Sequence, residues 1–261
     1  MKGDLVIGAI LGDILGSPYE RLPQGLCNPN IDLSEDRKFT DDSILTIATM
    51  ECMLDGSEEF ERYYMKWANR FINKPLWGKH FATWVKNGDC KKIEHSWGNG
   101  CLMRISPIAY YPGTEEECKR LAILSCQYTH NCPESFLAVI KYIEVLYRYL
   151  HYMPVINISN NYKLYLNNQT GFDCSVKSVD QAYSAFLESR SIENPTVIEC
   201  IMKAIKLGGD TDTIGAMTGA LAETIFPVQR IHQEIVEEFL PEDMFDIVVR
   251  FSERFNSYKC A

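Results

Sequence analysis

The sequence predicts an all-α protein, one compact multi-helix domain over residues 1–261, and three observations carry that reading. Apolar residues recur at helical spacing along nearly the whole chain. No alternating apolar/polar run exceeds a few positions, so essentially no sheet is expected. Nothing resembling a linker, a composition break or an internal repeat divides the 261 residues. Hydrophobic residues make up 46% and charged residues 23%, the mix of a globular chain long enough to bury a real core.

The elements follow in order. The run LVIGAILGDILG at 5–16 is apolar but interrupted by Asp13, preceded by Asp4 and followed too soon by Glu20 and Arg21 for a span of about 20 residues. No A-x-A cleavage pattern follows, so it reads as a buried helix and not as a signal segment. A second helix covers 44–53, behind Phe39-Thr40-Asp41-Asp42-Ser43. Residues 133–150 place Phe136, Leu137, Ile140, Ile143, Leu146, Tyr147 and Leu150 on one face, and Pro133 suits the first turn. Residues 157–169 are Asn-rich and read as a surface loop. Further helices cover 176–187, 195–207 and 231–240, with Gly208-Gly209 as a stop signal after the second of these. Glycines at 8, 12 and 16, and again at 215 and 219, stripe two helices at intervals of four. Each helical glycine costs about 1 kcal/mol relative to Ala, so such a stripe implies very close helix contact.

Charge and cysteine usage exclude several classes. A formal net charge of −9 disfavours a nucleic-acid backbone binder, and sequence-specific DNA binding is not expected. The ten cysteines are scattered without a C-x-x-C pair, which suits reduced, buried thiols in a cytoplasmic protein. No membrane association is expected, and a monomer is the expected state.

Two aspartate clusters carry the chemistry. Thr40-Asp41-Asp42 opens one helix, where capping by the helix dipole is a sufficient explanation of such a cluster taken alone. Gly208-Gly209-Asp210-Thr211-Asp212-Thr213 opens another, and capping explains only one of its aspartates. An EF-hand fails, because Ile214 and Leu221 stand at its fifth and twelfth positions. A D-x-D-x-T phosphatase nucleophile fails as well, since Ile214 replaces the Thr and a helix precedes. Four carboxylates with threonine hydroxyls form a hard, all-oxygen donor set, which suits Mg²⁺ or Mn²⁺ and not zinc. A two-metal site of this kind can polarise a vicinal diol and position a water.

These segments stand in an order that is highly specific. GAILGDILGSPYE at 8–20, FTDDSILT at 39–46, SWGNGCLMRISPIA at 96–109, THNCPE at 129–134 and LGGDTDTIGAMTGALAE at 207–223 together resemble the ADP-ribosylglycohydrolase family, which includes dinitrogenase reductase-activating glycohydrolase and the ADP-ribosyl-acceptor hydrolases. The resemblance implies a helical core around a central cleft with a binuclear metal centre holding two Mg²⁺, or Mn²⁺ in their place. It implies hydrolysis of the bond between the distal ribose C1 of ADP-ribose and an acceptor, with ADP-ribose as product. Thr40, Asp41, Asp42, Asp210, Asp212 and Thr213 then become the metal ligands, and Glu20 a mobile acid/base residue beside them; Asp41 and Asp42 also count among the catalytic residues. Ser96, Trp97, Gly98, Asn99 and Gly100 become the loop around the pyrophosphate and adenosine, joined by Gly78 and His130. Asp13 is expected to be a structural hydrogen-bonding residue, and Arg104 to contact ligand or buttress the acidic centre, the second being preferred. Cys132 stands where many relatives carry a second histidine.

Three functional classes remain open from sequence. The first is the hydrolase, acting on an ADP-ribosylated protein side chain, nucleic acid or small molecule. The second is a non-catalytic ADP-ribose binder or crystallin-like structural protein, against which the intact ligand set argues. The third is a two-metal nucleotide phosphohydrolase, which would release phosphate. Acceptor choice is expected to depend on loops at the cleft rim, the 157–169 segment among them.

Overall fold

A computed structural model describes residues 5–23, 26–29, 36–88, 91–152 and 175–256. The helices are α1 (Gly8–Gly16), α2 (Asp41–Leu54), α3 (Phe60–Phe71), α4 (Lys79–Asn87), α5 (Glu115–Cys126), α6 (Pro133–Tyr152), α7 (Ser175–Ser189), α8 (Val197–Ile205), α9 (Thr211–Ile225), α10 (Arg230–Phe239) and α11 (Glu242–Phe255). Among the described residues there is no strand, only an isolated bridge between Glu94 and Asn131. The all-helical expectation therefore holds, and the expected helices appear within a few residues of their predicted ends. The expected loop at 157–169 lies outside the described residues.

The architecture is built around α1 and α9. Both are buried along almost their whole length and run antiparallel in backbone contact. A Cβ on Gly8 would sit 2.2 Å from the carbonyl oxygen of Gly219, and one on Gly12 would sit 2.1 Å from that of Gly215. At Gly16 it would meet the Thr211 carbonyl at 2.3 Å. Only glycine allows this approach, which is the physical reason for the two stripes. Helix α2 packs beside α1 and is covered by α3 and α11, while α6, α7 and α8 enclose α9 from the other side.

Buried carboxylates fasten the pair. Glu223 on α9 accepts from the backbone N–H groups of Ile7 and Gly8 at 2.9 and 2.5 Å, satisfying donors that the start of α1 leaves open. Asp13 on α1 accepts from the backbone N–H and hydroxyl of Thr40 at 2.9 and 2.7 Å, and from the backbone N–H and hydroxyl of Ser43. The residue is fully buried, and its role is the structural one expected from sequence. It locks the beginning of α2 onto α1. The seven described cysteines, among them Cys101, Cys126 and Cys132, are free and buried. Burial pushes the thiols of Cys52, Cys118 and Cys126 up to about 12, so they are inert packing groups.

Candidate active site

The helix starts decide where the acidic residues point. Thr40 is the N-cap of α2, and its hydroxyl accepts from the backbone N–H of Asp42 at 3.3 Å. Asp41 and Asp42 are therefore not spent on capping. At α9, Asp210 holds the N-cap position but makes no side-chain capping bond. Gly208 and Gly209 before it have φ of 69° and 85°, a left-handed pair that turns the chain sharply from α8 into α9. The same turn is tied to the first motif: Arg21 N–H donates to the Gly209 carbonyl at 2.7 Å, and Gly209 N–H donates to that of Leu22 at 3.1 Å. Glu20 is thereby brought beside the α9 start.

The result is an acidic pole in a cavity of about 1020 Å³. One carboxylate oxygen each of Glu20, Asp210 and Asp212 lies within 4.8 Å of the others, a spacing able to hold a cation. Among the described residues this is one group, where two ion sites were expected, and it contains Glu20, which was expected to stand outside the ligand set. Asp41, Asp42, Thr40 and Thr213 line the same cavity beside it.

Electrostatics show what this crowding costs. Asp41 is pushed up to about 8, first by burial, then by the charges of Asp13, Asp210 and Glu20. Asp42 is held well above the ordinary carboxylate range by burial and by Asp212, Asp13, Asp41 and Asp210. Asp212 is raised by burial and by Asp210 in the same way. One oxygen of Asp42 is buried with no partner among the described residues. An unpaired buried carboxylate oxygen amid like charges is what a bound cation would satisfy, and the surrounding donors are all oxygen. The residues present fit a hard divalent metal.

The other pole is built from the segment at 96–100. Trp97 is 49% exposed on the cavity wall, so its face is open and not packed in the core. Asn99 is buried; its side-chain N–H₂ donates to Asp210 at 2.6 Å and to the Ser178 hydroxyl at 3.0 Å, linking the two poles. The Ser96 carbonyl accepts from the Ser135 hydroxyl at 2.8 Å, and Cys132 Sγ lies 3.1 Å away. Cys132 thus helps hold this loop. His130 lies behind Gly98 and Gly100, and burial followed by the Arg104 charge pushes its imidazole down to about 3.

Every predicted site residue lines this one cavity: Glu20, Thr40, Asp41, Asp42, Gly78, Ser96, Trp97, Gly98, Asn99, Gly100, His130, Asp210, Asp212 and Thr213. Sequence reasoning missed Arg21, Lys38, Lys79, His80 and His95, which also line it. No motif marks these residues, because they reach the cavity through tertiary placement alone. Arg104 corrects an expectation. It does not buttress the acidic centre; its guanidinium donates to the Ser125 carbonyl at 3.0 Å and the Thr129 hydroxyl at 2.7 Å, at the opposite pole.

Helical fold and site together define a hydrolase-type cleft with an acidic, cation-ready end and a glycine-lined end. The chain belongs to the ADP-ribosylglycohydrolase family, whose model matches residues 4–152 and 157–258. Its chemistry is accordingly hydrolysis at ADP-ribose glycosidic linkages. Among curated relatives, the mouse and human proteins named "ADP-ribosylhydrolase ARH3" are each 22% identical over 310 residues. The match covers 86% of this chain and 83% and 85% of those two proteins. A solved structure titled "ADP-ribosylglycohydrolase-related protein complex" superposes with a TM-score of 0.70 at 20% identity, over 95% of both chains, a likeness of fold.

Proposed function

We propose that this protein removes ADP-ribose from an acceptor by cleaving the bond between the distal ribose C1 and the acceptor atom, reversing ADP-ribosylation. The observation that carries the reading is the cavity's two poles. Five acidic residues converge at one end, and an open tryptophan face with glycine-lined backbone stands at the other. An ADP-ribosyl group has the matching chemistry, a diol-bearing ribose at one end and a base at the other.

Thr40, Asp41, Asp42, Asp210, Asp212 and Thr213 would hold two magnesium or manganese ions. Bound there, the metals supply Lewis-acid polarisation and orientation of ribose hydroxyls. The chain's own groups do the rest. Thr40 Oγ1 gives its proton to Asp13, so its oxygen faces the acidic pole as an acceptor only. Asn99 holds Asp210 in place through its 2.6 Å bond. Glycosidic cleavage needs a proton delivered to the leaving atom and one taken from water. Glu20 is a part-exposed carboxylate of the pole, paired with the exposed Arg21 at 3.0 Å, and it would be the acid/base group there. Ser96, Gly98, Gly100 and Gly78 would receive the diphosphate, and Trp97 the adenine.

No described helix is long and apolar enough to cross a membrane. The free, buried thiols among the described residues support a cytoplasmic reading, and we take the protein to act as a monomer on ADP-ribosylated protein, nucleic acid or small molecule. The test is to incubate it, with Mg²⁺ or Mn²⁺, with ADP-ribosylated arginine and serine peptides, ADP-ribosylated DNA and O-acetyl-ADP-ribose. Release of ADP-ribose from at least one substrate is expected. Tight ADP-ribose binding with no turnover on any of them would make it a binder, and phosphate release would make it a phosphohydrolase.

A further inference from the structure

Arg104 is fully buried, yet no carboxylate among the described residues pairs with it. Its Nε and Nη1 have no hydrogen-bond partner among the described residues, and its charge rests on the Tyr64 ring face at 4.0 Å. A buried cation left this way is costly unless it serves a ligand. Only Nη2 is engaged, donating to the Thr129 hydroxyl at 2.7 Å and to the Ser125 carbonyl. Thr129 Oγ1 in turn lies 2.9 Å from His130 Nδ1, and only 3.4 Å from its alternative acceptor, the Cys126 carbonyl. A hydroxyl has one proton. A guanidinium already donates to its oxygen, and Nδ1 at 2.9 Å is the nearer of the two acceptors open to that proton. A neutral imidazole that accepts at Nδ1 carries its own proton on Nε2. That edge faces the glycine loop: Nε2 lies 3.5 Å from where a Cβ on Gly98 would stand, and Cε1 lies 3.4 Å from one on Gly100. The missing Cβ atoms leave the N–H edge uncovered toward the cavity.

We propose that Arg104 is a positioning residue for the anion-binding end of the cleft, orienting the Thr129 hydroxyl so that His130 presents an Nε2–H donor, over Gly98 and Gly100, to a phosphate oxygen of the ADP-ribosyl group. The proposal rests on the ADP-ribose reading above. Arg104 is fully buried at the cavity wall beneath the loop, and its charge adds a favourable field for an anion seated there.

The test combines imidazole nitrogen NMR on ¹⁵N-histidine-labelled protein with binding of two probes, ADP-ribose and adenosine, which lacks phosphate. In the wild type, His130 is expected to be protonated on Nε2 and bare on Nδ1. Thr129→Val should mix the tautomers and weaken ADP-ribose binding about tenfold, with adenosine unchanged, as expected for loss of an oriented donor to a charged group. Thr129→Ser should restore both. Arg104→Met should match Thr129→Val, with Arg104→Gln taking its place should it fail to fold; a folded Arg104 variant that keeps the wild-type tautomer and ADP-ribose affinity overturns the role of Arg104. A wild-type His130 protonated on Nδ1 overturns the relay. Equal loss of ADP-ribose and adenosine affinity overturns the phosphate role and makes the residues structural. Absence of any ADP-ribose binding, with the expected tautomer present, refutes the functional reading and the phosphate contact but leaves the relay standing, so the two failures are distinguishable.

Discussion

Asp42 shows at the level of one residue how function and stability oppose each other. Its carboxylate is buried, carries one unpartnered oxygen and faces Asp41, Asp210 and Asp212. Replacing it with the isosteric amide relieves like-charge repulsion in the metal-free protein. Asp42→Asn should therefore raise the thermal midpoint in chelator by a few degrees, about 1–2 kcal/mol, while abolishing turnover. A lowered midpoint would mean the carboxylate is a fold-stabilising group. Asp41→Asn and Asp212→Asn should likewise abolish turnover, and wild-type rates would show that the ligands are misassigned. Gly78 offers the complementary case. A Cβ there meets nothing within 4 Å, and its φ is −56°, so Gly78→Ala should change stability by no more than about 1 kcal/mol. If its backbone receives the diphosphate, the methyl group should still raise KM. An unchanged KM would remove Gly78 from the site.

At the level of the element, the α1–α9 pair is where the fold is least tolerant. Gly→Ala within a helix normally helps by about 1 kcal/mol, but Gly12→Ala places a methyl 2.1 Å from a backbone oxygen that cannot step aside. Denaturant unfolding should show a loss of at least about 3 kcal/mol, or the protein should be insoluble. Activity should fall with it, because α1 carries Asp13 and α9 carries Asp212. Helix starts far from the cavity give the control. Thr114 and Thr196 each form a capping box, with Glu117 and Glu199 respectively. Thr114→Ala or Thr196→Ala should cost about 1 kcal/mol and leave kcat/KM unchanged. The helical elements were legible because each buries one apolar face. The glycine stripes pointed to close contact, though which stripe met which was not readable from 8, 12 and 16 or from 215 and 219.

For the whole molecule, the acidic pole sets the pH response. Asp41, Asp42 and Asp212 have pKa values raised above their unfolded values near 4, so the folded protein binds more protons than the unfolded chain. The stability they contribute is present below about pH 4 and is lost as pH rises toward 8, where Asp41 titrates. In chelator the thermal midpoint should fall between pH 5 and 8, and saturating Mg²⁺ should flatten that slope. A midpoint rising with pH in chelator would contradict the crowding. Exposed carboxylates act the other way at the acid end: Arg120 holds Glu58 low and Arg70 holds Asp243 low, so their contribution is lost as pH falls. Magnesium at a hundredfold excess over its Kd should add about 2.7 kcal/mol to the stability for each ion bound.

By itself the sequence determined the helical class, the buried N-terminal helix, the hard oxygen donor set and the motif residues on the cavity wall. Each of these is a local property: spacing along a helix, residue chemistry, or a motif carried on a few consecutive positions. Only the tertiary structure decided how they meet. It joined Glu20 to Asp210 and Asp212 through the Arg21–Gly209 backbone bond, which no spacing reveals across so long a separation. Thr40, rather than the aspartates, took the capping role, because Asp13 reached α2 from the neighbouring helix. Arg104 was sent away from the acidic pole toward Thr129, and Lys38, Lys79 and His80 were placed on the cavity wall. Long-range partners are chosen by the packing of α1 on α9 and of α2 on α1, and a one-dimensional pattern carries residue types but not the contacts that orient them.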